Sequence, residues 1–96
     1  MTTISVKSTT PEIIIPLLKS AMEREKGIIR NSITKVQKRV DTLCQALSVD
    51  PALLMSGEVS HPEADDMELL ELEGELETLD HLKNELRELE SLELCA

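Results

Sequence analysis

The sequence predicts an all-α fold: an antiparallel, coiled-coil-like two-helix hairpin preceded by a short strand-like arm. Three observations lead to this prediction. Two long segments repeat apolar residues at steps of three and four, the period of a helix that packs along one face. A stretch containing Pro, Gly and Ser separates the two segments. The first segment is net basic and the second strongly acidic, so antiparallel docking brings opposite charges together.

The N-terminal arm comprises residues 1–10, where Ile4 and Val6 alternate with polar side chains as in a short strand. A strand of this length is too short to be stable alone. Thr10 followed by Pro11 is typical of a helix start, because a proline in the first helical turn removes no hydrogen bond. The arm is therefore expected to end where the first helix begins.

The first helix is predicted over residues 11–47. Pro16 removes one internal hydrogen bond, so the regular helix can instead begin nearer to that residue. The apolar phase continues across Gly27, which lies off the seam, and this favours one unbroken helix. The Ser-Val-Asp-Pro sequence that starts at residue 48 ends it. The apolar seam of this helix consists of Ile29, Ile33, Val36, Val40, Leu43 and Leu47.

A connector is predicted over residues 48–62 and a second helix over residues 63–94, so that one domain spans residues 1–96. Acidic residues at the start of the second helix are favourable near the positive end of the helix dipole. One irregular step near Leu79 shifts the seam partway along the helix. The seam of the second helix consists of Leu69, Leu72, Leu76, Leu79, Leu82, Leu86 and Leu89.

The charge distribution indicates how the helices face each other. Residues 1–57 carry eight Lys and Arg against five Asp and Glu, whereas residues 58–96 carry two against 14. With residue 47 opposite residue 63, Arg39 approaches Glu71 across the seam. Exposed ion pairs contribute only about 0.2–1 kcal/mol each. They select the orientation of the helices, and burial of leucines must stabilise the hairpin.

A lone two-helix hairpin buries too little apolar surface to offset the entropy lost on ordering the chain. Leu70, Leu92 and Leu94 also widen the apolar surface of the second helix beyond what one helix can cover. We therefore expect a homo-oligomer, a dimer that forms a four-helix bundle in which the arms can pair. Coverage of the same surface by a different protein is the alternative.

The composition argues against several other classes of partner. Without Phe, Tyr or Trp the chain has no base-stacking platform, and its acidic half repels nucleic acid and anionic membranes. No apolar run approaches the roughly 18 residues of a membrane span. Cys44 and Cys95 fit no metal or redox spacing and lie too far apart in the hairpin for a disulfide. We expect a cytoplasmic protein with reduced thiols and no cofactor.

No residue pattern points to catalysis. His81 has a glutamate one helical turn away on either side, but such a solvated set falls short of the ligands of a structural metal site. Two acidic pairs resemble the magnesium-binding carboxylates of helical nucleotide pyrophosphohydrolases: Glu68 with Glu71, and Glu77 with Asp80. In those enzymes the pairs face one another from different helices, whereas here both lie on one helix. We expect no catalytic, cofactor-binding or metal-binding residues.

Three segments resemble small prokaryotic coiled-coil hairpin proteins of the antitoxin type. EIIIPLLKSAMEREK from Glu12 and KVQKRVDTL from Lys35 are similar to the first helix of those proteins. DMELLELEGELETL from Asp66 is similar to their second helix. The resemblance implies a non-enzymatic chain that wraps a small protein toxin and neutralises it.

A second resemblance is to ribbon-helix-helix repressors. MTTISVK at the N-terminus looks like their DNA-reading strand, and GIIRNSI from Gly27 looks like the turn between their helices. This resemblance implies that Thr3, Ser5 and Lys7 of paired arms enter the major groove of DNA. Gly27 separates the two hypotheses. A helix break there supports DNA binding, and a continuous helix excludes it.

Overall fold

The computed structural model describes residues 2–48, 50 and 67–95. In chain order its elements are strand β1 (Thr2–Ser5), helix α1 (Pro11–Leu47), helix α2 (Met67–Glu90) and strand β2 (Leu92–Cys95). The two helices pack against each other, and the short strand precedes them. That part of the predicted fold is confirmed. The connector, apart from Ser48 and Asp50, and residues 63–66 of the predicted second helix lie outside the described residues.

Helix α1 is continuous from Pro11 to Leu47. The Thr10 carbonyl accepts hydrogen bonds from the backbone N–H groups of Ile13 and Ile14, which satisfies donors of the first turn. Pro16 lies inside the helix without ending it. Its only effect on the helix is the loss of one backbone hydrogen bond. At the other end Ser48 adopts a left-handed conformation (φ 55°), and its N–H donates to the Cys44 carbonyl.

Helix α2 ends at Glu90, not at residue 94 as the sequence predicted. The Ser91 N–H donates to the Arg87 carbonyl at 3.1 Å, and the Ser91 hydroxyl donates to the Glu88 carbonyl at 3.0 Å. Two carbonyls of the last turn thereby find partners, and the chain is released from the helix.

The segment after α2 forms strand β2, which pairs in parallel with β1 and aligns Thr2 with Leu92 and Ile4 with Leu94. The N–H groups of Thr2 and Val6 donate to the carbonyls of Ser91 and Cys95 at 3.1 and 2.7 Å. The arm needs a partner for its backbone groups, and β2 supplies one. The fold is therefore a helical hairpin whose two ends are joined by a small sheet, which the sequence did not predict.

The helices are antiparallel, with a register one helical turn away from the predicted one. Arg39 forms its ion pair with Glu75, with Nη1 3.5 Å from Oε1, and not with Glu71. Glu71 lies beside Arg39 and Leu43 in a shallow cavity between the helices. The core occupies the same interface, with Val40 and Leu72 almost completely buried.

Candidate functional site

The predicted apolar seam lies between α1 and α2. Seven of its residues are buried: Ile29, Val36, Val40, Leu69, Leu72, Leu76 and Leu79. Ile33, Leu43, Leu47 and Leu82 are partly buried and pack against this core, and Leu86 and Leu89 are half-buried. The two helices of one chain thus cover most of the seam themselves. The surfaces that remain open to other molecules lie elsewhere on the hairpin or at the margin of this interface.

One margin of the interface forms a groove of about 370 Å³ between the middle of α1 and the end of α2. Ile29 and Leu89 form its apolar floor, and Glu25, Glu85 and Glu88 form its rim. We call it the Ile29–Leu89 groove. Both helices contribute to it, so it exists only when the hairpin is closed.

The rim of the Ile29–Leu89 groove is acidic and largely uncompensated. The Glu85 carboxylate lies beside His81, with its Oε1 2.6 Å from the imidazole Nε2. Glu25 and Glu88 are exposed, and the side-chain carboxylate of neither forms a hydrogen bond or ion pair within the described part of the chain. Two free carboxylates beside an apolar floor favour a ligand that carries positive charge next to an apolar group.

A larger cavity, about 510 Å³, lies between α1 and β2. Lys19, Lys26 and Glu23 line it on one side, and Leu92 and Leu94 line it on the other. The Lys26 side chain is only 14% exposed, and its ammonium pairs with Glu23 at 3.0 Å. Because charges of both signs line this cavity and partly neutralise each other, it offers less charge selectivity than the Ile29–Leu89 groove.

Helix α1 also carries apolar residues that α2 does not cover. Ile13, Leu17 and Ile28 are 56%, 60% and 59% exposed, and their spacing places them on one helix face. Near the start of α2, Met67 and Leu70 are likewise exposed. The spacing of Ile13, Leu17 and Ile28 in the sequence could have predicted this surface. It was not predicted because the longer apolar seam of the same helix dominates the pattern.

The carboxylate pairs considered for magnesium do not face each other. All four residues lie on α2, and Glu68, Glu71, Glu77 and Asp80 are all exposed. Within the described ranges, no group of three or more His, Cys, Asp or Glu residues is placed to hold a metal ion. Neither α1 nor α2 offers a stretch both apolar and long enough to cross a bilayer.

The helix break required by the ribbon-helix-helix hypothesis is missing. Gly27 lies within the continuous helix α1, and a methyl group added there would meet no atom within 4 Å. Strand β1, which carries Thr3 and Ser5, pairs in parallel with β2 of the same chain. The structure therefore lacks the turn between two helices on which the ribbon-helix-helix resemblance depends.

The two cysteines occupy different environments, and both are free thiols. Cys44 packs against the core, and burial, followed by the negative charges of Asp41 and Asp50, raises the pKa of its thiol. Cys95 is exposed on β2, with its Sγ 4.0 Å from the Ser5 hydroxyl. Cys44 is thus the less accessible of the two thiols, and its surroundings also disfavour its ionisation.

We therefore expect a maleimide reagent to modify Cys95 about tenfold faster than Cys44 at neutral pH, because the thiolate is the reactive form. Mass spectrometry of the partially labelled chain measures both rates in one sample. Labelling in urea is the control, since unfolding should bring the two rates together. Equal rates in the native protein would contradict the packing of Cys44.

Comparison of the chain with models of protein families, with curated proteins and with solved structures gave no match.

Proposed function

We propose that this chain is a non-catalytic protein-interaction module whose Ile29–Leu89 groove binds a basic amphipathic segment of another protein. The observation that carries the proposal is the groove itself. It combines an apolar floor with three carboxylates, Glu25, Glu85 and Glu88, and both helices build it. The acidic excess of α2 supports the same kind of partner, since α2 carries nine Asp and Glu against two Lys and Arg.

The groove suits one turn of a partner helix. Glu25 and Ile29 are one turn apart on α1, and Glu85 and Leu89 are one turn apart on α2. An apolar side chain inserted between Ile29 and Leu89 gains up to about 1.5–3 kcal/mol by leaving water. Lys or Arg residues on either side of it face the rim carboxylates, each such pair contributing about 0.2–1 kcal/mol. The charges select the partner and accelerate its approach.

An antitoxin-like role is the most specific form of this proposal. It rests on the resemblance of three segments, which begin at Glu12, Lys35 and Asp66, to coiled-coil hairpin antitoxins. In this role the hairpin wraps a small basic toxin and neutralises it. The acidic surface of α2 supports the role because it would attract such a toxin.

We propose further that two copies of the chain associate. The exposed apolar side chains of Ile13 and Leu17, one helical turn apart on α1, support this, since their contact with water is unfavourable. A two-helix hairpin also buries little surface for its length, and association into a four-helix bundle would bury more.

The groove is tested by titrating the protein into a dye-labelled amphipathic helical peptide composed of leucine and lysine, with fluorescence anisotropy as the measurement. The double variant Glu85→Lys/Glu88→Lys replaces two attractions by two repulsions. We expect it to weaken binding by about tenfold or more, which corresponds to about 1.4 kcal/mol.

The matched control is Glu77→Lys/Asp80→Lys, which changes the net charge of α2 equally but lies away from the groove. Binding by this control should stay within about threefold of that of the unmodified protein in moderate salt, where distant charges are screened. If both double variants weaken binding equally, the peptide senses only overall charge and the groove is not the binding site.

A further inference from the structure

We propose that the outer edge of β1 pairs with the same edge of a second copy, which produces a four-stranded sheet across a two-fold axis. This inference rests on the proposed self-association and names the surface that forms it. In the described residues the sheet contains two strands, so β1 has β2 on one side and no strand on the other. The order of strands in the dimer is then β2, β1, the partner copy's β1 and the partner copy's β2.

Within the described residues, no strand pairs with the backbone hydrogen-bonding groups of β1 at this edge. The N–H groups of Thr2 and Val6 point to β2, where they donate to carbonyls of Ser91 and Cys95. Successive residues of a strand direct their N–H and C=O groups to opposite sides, so those of Thr3 and Ser5 point to the outer edge. A row of such groups is a template for another strand.

The sequence of β1 leaves this edge unprotected. Natural edge strands avoid self-pairing by carrying charges, prolines or bulges. Strand β1 consists of Thr2, Thr3, Ile4 and Ser5, with no charge and no proline, and three of these residues are β-branched. In contrast, β2 carries the exposed Glu93, and pairing of two copies along β2 would bring like charges together.

A second copy is the occupant that the geometry favours. Two identical strands that pair antiparallel about a two-fold axis offer each other the same donors and acceptors. With Thr3 opposite the partner copy's Ser5, the outward-pointing groups of both residues are satisfied. The same register places Ile4 opposite the partner copy's Ile4 in a non-hydrogen-bonded pair, where side chains lie closest.

Burial and sheet size support this register. Ile4 is 45% exposed in the single chain although it is the apolar residue at the centre of β1. Contact with the partner copy's Ile4 would cover part of that surface. A two-stranded sheet is marginal in water, whereas one of three or more strands with an apolar face can be stable. The dimer would thus stabilise the sheet that joins the two ends of each chain.

Cross-linking tests the register directly. In a Cys44→Ala/Cys95→Ser background, Ile4→Cys places two thiols on the two-fold axis at a separation that a disulfide can span. Mild oxidation should convert most of this variant to a covalent dimer. Thr3→Cys in the same background is the matched control and should cross-link at least about fivefold more slowly, because each residue 3 lies opposite the partner copy's Ser5 and the two thiols are offset by two residues, about 7 Å, along the strands. Equal rates at both positions would overturn the inference.

Thr3→Pro supplies the second measurement. This change removes an outward-pointing N–H and keeps the hydrogen bonds to β2. Sedimentation equilibrium should show at least about tenfold weaker dimerisation, with helix content by circular dichroism unchanged, while Thr3→Val should dimerise as the unmodified chain does. A dimer that neither cross-links through residue 4 nor responds to Thr3→Pro overturns the strand-edge inference alone. An unmodified chain that is monomeric at all accessible concentrations overturns the proposed self-association as well.

Discussion

Replacing Leu72 by alanine is expected to lower the free energy of unfolding by about 2–5 kcal/mol, the range for a large apolar side chain removed from a packed core. Leu72 is completely buried between α1 and α2, in the same cluster as Val40 and Leu76. A small fold with a single narrow core has only a few kcal/mol to lose. The variant should therefore be largely unfolded near physiological temperature.

Urea denaturation followed by circular dichroism at a fixed protein concentration measures the change. Leu70→Ala is the matched control. It deletes the same atoms as Leu72→Ala, but the Leu70 side chain, two residues away, is 47% exposed. We expect this control to lose less than about 1 kcal/mol. If the two variants lose equal stability, α2 does not pack on α1 through the face that carries Leu72.

Replacing Gly27 by proline is expected to destabilise the protein by about 3 kcal/mol or more, because proline breaks the interior of a helix. Replacing the same residue by alanine should raise stability by about 0.5–1 kcal/mol, since it reduces the freedom of the unfolded chain. A methyl group at this position meets nothing within 4 Å, so no steric conflict offsets the gain.

The opposite signs of the two changes at Gly27 test the continuity of α1. In a chain with a turn at Gly27, alanine would strain a conformation suited to glycine and lower stability, so both changes would be destabilising. Thermal unfolding by circular dichroism distinguishes the cases. A Gly27→Ala variant that melts below the unmodified protein would show that the helix is interrupted there.

The core could be predicted from the sequence because a helix that buries one face must carry apolar residues every three or four positions. Few other structural requirements produce this spacing. Ile29, Val36 and Val40 recur at steps that keep them on one face, and the structure buries all three. The phase of that pattern across Gly27 was enough to predict a continuous helix. The ends of α1 also follow from local chemistry, since Pro11 suits a first turn and Pro51 disfavours continuation.

The register of the hairpin could not be predicted in this way. A seam with steps of three and four looks nearly the same after a shift of one turn, so apolar spacing does not choose between neighbouring registers. Glu71 and Glu75 lie one turn apart on the same helix, and either could face Arg39. The structure selects Glu75. The Ile29–Leu89 groove depends on that register, so it could not be predicted from the sequence either.

Strand β2 was missed because its signal was ambiguous. Leu92 and Leu94 alternate with Glu93 and Cys95, as in a strand with one half-buried face. The same alternation of Leu and Glu occurs in residues 70–73, where the chain is helical. What distinguishes the two places is tertiary: only residues 92–95 have the arm beside them to complete a ladder.

The most direct test of this account is a distance between the two helices at the groove. Spin labels at Arg24→Cys and Glu90→Cys, in a Cys44→Ala/Cys95→Ser background diluted with unlabelled chain, report on one molecule at a time. Because packed helices lie about 8–10 Å apart, double electron–electron resonance should give a narrow distribution below about 25 Å. A distribution centred beyond about 35 Å, the length of α1 from residue 24 to its end, would mean that the hairpin is open and the groove does not exist.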